Sequence, residues 1–175
     1  MLKNNTIQLR AIEGDDIDSL FLWENNPENW RVSHTVKPYS RHELYEYIHS
    51  VGDIYSDKQL RLIIENREDG AKLGAVDLFD CDFKNRRTGI GILIAEEKDR
   101  GKGIASQVLD LILPYCFQTL AFHQVYCDVH TENPASMALF EKFGFREVGV
   151  KKDWTYHNGT YYDECLMQKI NPENA

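Results

Sequence analysis

The chain has 175 residues, 42% of them hydrophobic and 27% charged, which suits one globular domain able to bury about 70% of its unfolded surface. Its formal charge of −8 argues against a general nucleic-acid binder, which carries a basic face, and no apolar run approaches membrane-spanning length. Cys81, Cys116, Cys127 and Cys165 are widely spaced with no Cys-x-x-Cys pair, and residues 1–5 carry no apolar signal core, so a cytoplasmic protein with reduced thiols and no metal site is expected.

Residues 6–12 alternate as a strand does, and Asp15 or Asp16 can cap a following helix that includes Leu22 and Trp23. Asn25-Asn26-Pro27 ends that helix, and residues 28–39 read as aromatic and irregular. Ser40 and Glu43 form a capping box that opens a helix to about Ser50. Residues 59–66 and 72–79 read as strands joined by a turn at Glu68-Asp69-Gly70, and residues 80–87 as a charged connection. Residues 88–95 form a further strand, apolar on both faces towards its end, as a central strand is.

From Gly103 onward Ile104, Val108, Leu111 and Tyr115 recur at helical spacing. Pro114 lies inside that pattern, and an interior proline costs about 3 kcal/mol, so a bend near Asp110 or a break before Tyr115 is expected. Residues 123–129 read as a strand, and 134–143 as a helix with Pro134 in its first turn and Gly144 at its C-cap. Residues 145–154 and 160–169 are strands around His157-Asn158-Gly159, a hairpin signal. The mixed order predicts an α+β or α/β three-layer domain over residues 1–170, with a flexible tail at 171–175.

The segment from Glu96 to Ala105 carries the strongest functional signal. It joins the apolar strand to the helix through Arg100-Gly101-Lys102-Gly103. A helix N-terminus offers unpaired N–H groups and the positive end of its dipole, so a phosphate or pyrophosphate fits there. Glycine at 101 and 103 removes the Cβ that would obstruct a close approach. Two better-known phosphate loops do not match. Gly103 is followed by Ile104 rather than Lys-Ser/Thr, and position 106 is Ser106 where the dinucleotide fingerprint needs glycine or alanine.

Further along come Thr131-Glu132-Asn133-Pro134-Ala135-Ser136 and then Leu139-Phe140-Glu141-Lys142-Phe143-Gly144-Phe145. With the strand Ile92-Leu93-Ile94 and the glycine loop, this set resembles the GCN5-related N-acetyltransferase (GNAT) superfamily across essentially the whole chain. Leu9-Arg10 before Asp15-Asp16, Asn26-Pro27-Glu28, Val76-Asp77-Leu78 before Asn85-Arg86-Arg87, and Gly159-x-Tyr161-x-Asp163 are most similar to the branch with ribosomal-protein N-terminal acetyltransferases and spermidine N-acetyltransferases. The resemblance implies a central, mixed, mostly antiparallel sheet of about seven strands, flanked by helices. Its two parallel strands, residues 88–95 and 123–129, would splay apart around acetyl-CoA.

By the same resemblance Ile92, Leu93 and Ile94 meet the pantetheine through their backbone. Arg100, Gly101, Lys102, Gly103, Ile104 and Ala105 hold the pyrophosphate, each charge-assisted bond contributing about 1.5–3 kcal/mol. Asn133 matches a cofactor-bonding position, and as an asparagine before a helix it also reads as an N-cap. Ser136 and Phe140 complete the cofactor wall.

Acetyl transfer needs a neutral amine, a donor for the developing oxyanion and an acid for the leaving thiolate. The tyrosine acid of the spermidine enzymes corresponds to Phe140, which has no proton to give, so Ser136, the ribosomal-branch counterpart, is the candidate acid. Asp77 is the candidate base, with His130, Tyr126, Asp128 and Tyr161 as further carboxylate, imidazole and phenol candidates. Trp30, Asp77, Asp80 and Tyr161 are candidate acceptor contacts. The expected activity is acetyl-CoA-dependent N-acetylation of a primary amine, a peptide N-terminus or a polyamine-like molecule, by direct attack in a ternary complex. A non-catalytic acyl-CoA-binding or sensing domain is the alternative. A homodimer or higher homo-oligomer is a further expectation, with no nucleic-acid or membrane partner.

Overall fold

The computed structural model describes residues 2–33, 35–50 and 52–174. Among them eight strands form one sheet: β1 (Leu2–Lys3), β2 (Ile7–Ala11), β3 (Leu60–Asn66), β4 (Lys72–Asp82), β5 (Arg87–Ile94), β6 (Gln124–His130), β7 (Arg146–His157) and β8 (Thr160–Ile170). Their order is β1-β2-β3-β4-β5-β6-β8-β7. Only β5 and β6 run parallel; the other neighbours are antiparallel. The sheet exceeds the expected seven strands by β1, whose two residues pair with Leu9 and Gln8 and are too few to leave an alternation in the sequence.

Helices α1 (Ile17–Glu24), α2 (Pro27–Ser33), α3 (Arg41–Ser50) and α4 (Ile54–Asp57) precede β3, while α5 (Ile104–Pro114) and α6 (Pro134–Lys142) follow β5 and β6. The central strands alternate between two apolar faces, as a sheet covered on both sides requires. Ile63 and Ala75 pack with Leu20 and Trp23 of α1 and Leu44 of α3. On the other face Leu62, Ile64, Val76 and Ile90 pack with Val108, Leu109 and Ile112 of α5 and Phe140 of α6. Each such side chain contributes about 1.5–3 kcal/mol by burial, so these two layers hold the sheet between them.

Several local expectations change. Asp16 does not cap α1 through its side chain; it is fully buried, bonded to Arg10 at 2.8 and 2.9 Å, to Lys72 at 2.9 Å and to the Glu13 N–H at 2.8 Å. An ion-paired carboxylate gains more from two cations than from capping one helix turn. The segment read as irregular contains α2, whose first residue, Pro27, breaks α1 and starts the new helix. The charged connection is shortened because β4 runs on to Asp82 through a register shift between Phe79 and Asp82. Pro114 ends α5, and a π-type turn over Tyr115–Thr119 follows, closed by the Leu120 N–H on Tyr115 O at 3.0 Å. At the expected tail Asn171 is buried and its N–H bonds His123 O at 2.8 Å; Met1 and Ala175 lie outside the described residues.

Other signals act as the residues dictate. Ser40 and Glu43 exchange side chain-to-backbone bonds of 2.8 and 3.1 Å at the start of α3. Asn158 and Gly159 both take positive φ (48° and 83°) between β7 and β8, the backbone that a tight two-residue hairpin needs.

The feature that shapes the site is the β5–β6 ladder. It holds only from Arg87↔Gln124 to Gly89↔Tyr126. Beyond that point β5 stays paired to β4 as far as Ile94↔Gly74, and β6 stays paired to β8 as far as His130↔Glu164. Gly74 lets β4 close on the end of β5: a Cβ there would lie 1.9 Å from the Leu93 carbonyl oxygen. The two parallel strands therefore part while each keeps its outer partner.

Candidate active site at the strand divergence

A cleft of about 660 Å³ opens where β5 and β6 separate. Residues 90–94 of β5 form one wall. Backbone groups on the β6 side of this stretch have lost their ladder partner and can pair with an extended amide-bearing ligand. Expected Ile92, Leu93 and Ile94 all line the cleft.

The glycine loop forms the next wall. Gly101 and Gly103 have φ of 74° and 78°, in the left-handed region, and open space stands where a Cβ would be at either position. Glycine serves the turn here rather than relieving a clash. The first bond of α5 runs from the Gln107 N–H to Gly103 O, so the N–H groups of Ile104, Ala105 and Ser106 precede the helical ladder and suit an anion. Arg100, Gly101, Gly103, Ile104 and Ala105 line the cleft, with Ser106 in addition. Lys102 does not; its ammonium sits 3.0 Å from Asp99. Arg100 turns its guanidinium back on the carbonyls of Ile94 and Ala95, at 3.2 and 3.5 Å.

Opposite stands the start of α6. The Asn133 oxygen accepts the Ser136 backbone N–H at 3.0 Å, so Asn133 is the N-cap and also lines the cleft. Capping uses its oxygen, and the NH2 group is not needed for it. Ser136 and Phe140 are one turn apart on α6 and both line the cleft. Phe140 is buried and packs edge-on against Phe145, with ring centroids 5.0 Å apart.

The remaining lining is acidic. Glu24, Glu28, Asp77, Asp128 and Glu164 all face the cleft, with Arg61 among them. Arg61 bonds Asp77 at 2.6 and 3.1 Å and Glu24 at 2.5 Å. Burial opposes the Arg61 charge, but Asp77 and then Glu24 outweigh it and raise its pKa. Glu164 accepts the Thr155 hydroxyl at 2.6 Å and Lys151 Nζ at 3.1 Å, and Lys151 also meets Asp128 at 2.7 Å.

Three proposed acceptor contacts are not among the cleft-lining residues. Asp80 has φ of 48° within the β4 irregularity, which directs it to a separate hollow of about 1040 Å³ where the Tyr126 hydroxyl reaches it at 3.4 Å. Burial, then the Asp80 charge, pushes the Tyr126 phenol up to about 12. Trp30 spends its indole N–H on Glu24 O at 2.7 Å and braces the α1–α2 corner. Tyr161 is exposed near the hairpin tip, 4.9 Å from the Tyr156 ring. Conversely, Glu24, Glu28, Arg61 and Glu164 enter the cleft without having been singled out. Glu164 follows Asp163 directly, so no alternation sets it apart; for Arg61 and Glu24 no local pattern exists either, because their meeting is tertiary.

The family model of the acetyltransferase (GNAT) domain matches residues 6–146. The chain belongs to the GNAT family. It is 30% identical over 173 residues to the uncharacterized N-acetyltransferase YoaA of Bacillus subtilis, covering 98% of this chain and 97% of that one. The crystal structure of a spermidine N-acetyltransferase from Vibrio cholerae in complex with CoA and spermine superposes with a TM-score of 0.85 at 28% identity, covering 95% of this chain and 96% of that one. A dodecameric structure of the spermidine N-acetyltransferase from the same organism gives 0.81 at 26% identity, over 98% and 97% of the two chains. This GNAT protein is an N-acetyltransferase that uses acetyl-CoA as donor and an amine as acceptor. The chain is thus an enzyme rather than an acyl-CoA sensor. Among the described residues no helix is long and apolar enough to cross a membrane.

Proposed function

We propose that the acceptor is a small polycationic amine of the spermidine class, acetylated by direct attack within a ternary complex. The observation that carries this reading is the acidic lining of the cleft: six carboxylates, from Glu24, Glu28, Asp77, Asp99, Asp128 and Glu164, stand against two arginines, Arg61 and Arg100. Such a field concentrates cations and selects against anions. The Vibrio cholerae enzyme that binds spermine has the same fold along almost its whole length, which supports the same class of acceptor here.

Acetyl-CoA supplies the thioester. The residues of this chain divide the remaining work. The N–H groups from Gly101 to Ser106 bind the pyrophosphate, and the parted edge of β5 holds the pantetheine amides. Phe140 keeps water from the thiol end. Ser136, on the same helix face, donates the proton to the leaving sulfur. Asp77 binds the acceptor as a charge: with both oxygens on the permanently charged Arg61, it is poorly placed to take a proton. We further take residues 1–170 as one catalytic domain, the protein as cytoplasmic, in keeping with four free buried cysteines, and its assembly as a homo-oligomer, as the dodecameric relative suggests.

The test is thiol release from acetyl-CoA with spermidine, a neutral-tailed monoamine and peptides bearing free N-termini. Polyamines are expected to give the highest kcat/KM, with an advantage that falls as salt screens the acidic cleft. A preference for peptides that is insensitive to salt would overturn the reading.

A further inference from the structure

Of the carboxylates that line the cleft, Glu164 is the most enclosed. Glu164 is buried, at 3% exposure, yet it faces the cleft beside Asp128 and His130. Strand register explains its position. His130 and Glu164 are cross-strand partners at the last rung of the β6–β8 ladder, on the edge of β6 away from β5 but level with the stretch where β5 and β6 have parted. Two side chains of β7 fix the carboxylate: the Thr155 hydroxyl at 2.6 Å on Oε1 and the Lys151 ammonium at 3.1 Å on Oε2.

We propose that Glu164 is the general base that removes the proton from the acceptor ammonium before attack. The inference rests on the reading that a strongly basic amine enters the acidic arm of the cleft. An alkylammonium with a lysine-like pKa near 10.4 is neutral in only about one molecule in a few thousand at pH 7, so a base inside the site matters most for that class of acceptor.

The three acidic candidates differ in what holds them. Asp77 is bound at both oxygens by Arg61, which cannot give up its proton. Asp128 is exposed and paired to Lys151 at 2.7 Å. Glu164 is shielded from water, and the cation beside it is shared with Asp128, so the trio Asp128–Lys151–Glu164 keeps a net negative charge. The charged and titratable groups around it are Lys151 on β7, Asp128 and His130 on β6, and Tyr162 on β8, whose ring lies edge-on to His130 at 6.1 Å. Burial works against the Lys151 charge, but bonds from Asp128 and Glu164 outweigh it and raise its pKa, so Lys151 stays a cation beside the carboxylate. In the step itself the ammonium proton passes to a Glu164 oxygen. The freed nitrogen lone pair forms the C–N bond, the C–S bond breaks, the departing thiolate takes a proton from the Ser136 hydroxyl, and the second proton shed by the acylated nitrogen restores that hydroxyl. The proton on Glu164 is then released to water once the product leaves the cleft.

The test compares two acceptors on the same enzyme preparation: an alkylamine with a pKa near 10.4, and a β-fluorinated alkylamine lowered to the α-amino range near 8, about a tenth of which is neutral at pH 7. Glu164→Gln is expected to lower kcat/KM for the strongly basic amine by about a hundredfold or more, and for the weakly basic amine by only a few-fold. The penalty on the basic amine should shrink as pH rises. The ratio between the two amines does not depend on how much variant is folded, and Glu164→Gln combined with Lys151→Gln, which removes the charge left facing the new amide, should give the same ratio. An equal loss for both amines at every pH would overturn the proposal. Because the ratio concerns only the reacting nitrogen, it can be read on whichever amines the enzyme accepts. A failure of the polyamine reading is therefore distinguishable from a failure of this one.

Discussion

Asp77 and Arg61 meet in a two-point ion pair, Oδ1 lying 2.6 Å from Nε and Oδ2 3.1 Å from Nη2. Arg61 carries a second carboxylate, Glu24 of α1, at 2.5 Å. The pair thus ties the first helix to strands β3 and β4 at the mouth of the cleft. Asp77→Asn is expected to raise the acceptor KM by roughly tenfold, the worth of one charged hydrogen bond, while the shape of the pH–rate profile is kept. A collapse of kcat with loss of one limb of that profile would instead make Asp77 the base.

The two loop glycines are under a different constraint. At Gly103 no neighbour lies within 4 Å of a built Cβ, but φ is +78°. Gly103→Ala should therefore cost only the left-handed backbone penalty, about 1–2 kcal/mol, seen as a roughly tenfold weaker acetyl-CoA affinity by calorimetry. Gly149→Ala is the control: its surroundings are open and its φ is ordinary, so affinity and stability should stay unchanged.

Ser136 donates its backbone N–H, not its hydroxyl, to the Asn133 cap. Ser136→Ala therefore leaves α6 capped, and the expected result is a fall in kcat of about a hundredfold with an unaltered acetyl-CoA Kd. Asn133→Ala behaves in the opposite way, losing about 1 kcal/mol of stability with the cap. Full kcat in Ser136→Ala would remove the hydroxyl from the mechanism.

Asp16 is a stability residue. Burial opposes its charge, yet Arg10, the Glu13 N–H and Lys72 prevail and hold its pKa at about 2 against 3.8. A folded-state pKa below the unfolded one means that the stabilisation is present above the unfolded value and lost as pH falls towards 2. Asp16→Asn breaks a buried pair and should lower stability by about 3 kcal/mol at neutral pH. Denaturant titrations should show the wild type and the variant converging as pH approaches 2; a constant gap would contradict the assignment.

Much of the donor half of the site was legible in the chain. Gly101, Gly103, Asn133, Ser136 and the run Ile92-Leu93-Ile94 are close in sequence to the elements they terminate or start, and their roles follow from local backbone geometry. Glycine turns, caps and apolar strands act over a few residues, so spacing carries the information. The two cations of the loop behave otherwise: Lys102 pairs with Asp99 three residues before it and does not line the cleft, and the Arg100 guanidinium turns back on the Ile94 and Ala95 carbonyls.

The acceptor half was decided by tertiary structure. Asp80 was expected beside Asp77 as an acceptor contact, yet the irregularity after Phe79 sends it to another hollow. Glu24, Arg61 and Glu164 come from α1, β3 and β8, and only the sheet order β3-β4-β5-β6-β8 brings them to one opening. Charge pairing has no period and no fixed separation along the chain. The sequence by itself therefore determined what donates the acetyl group, while the folded sheet decided which carboxylates gather at the cleft.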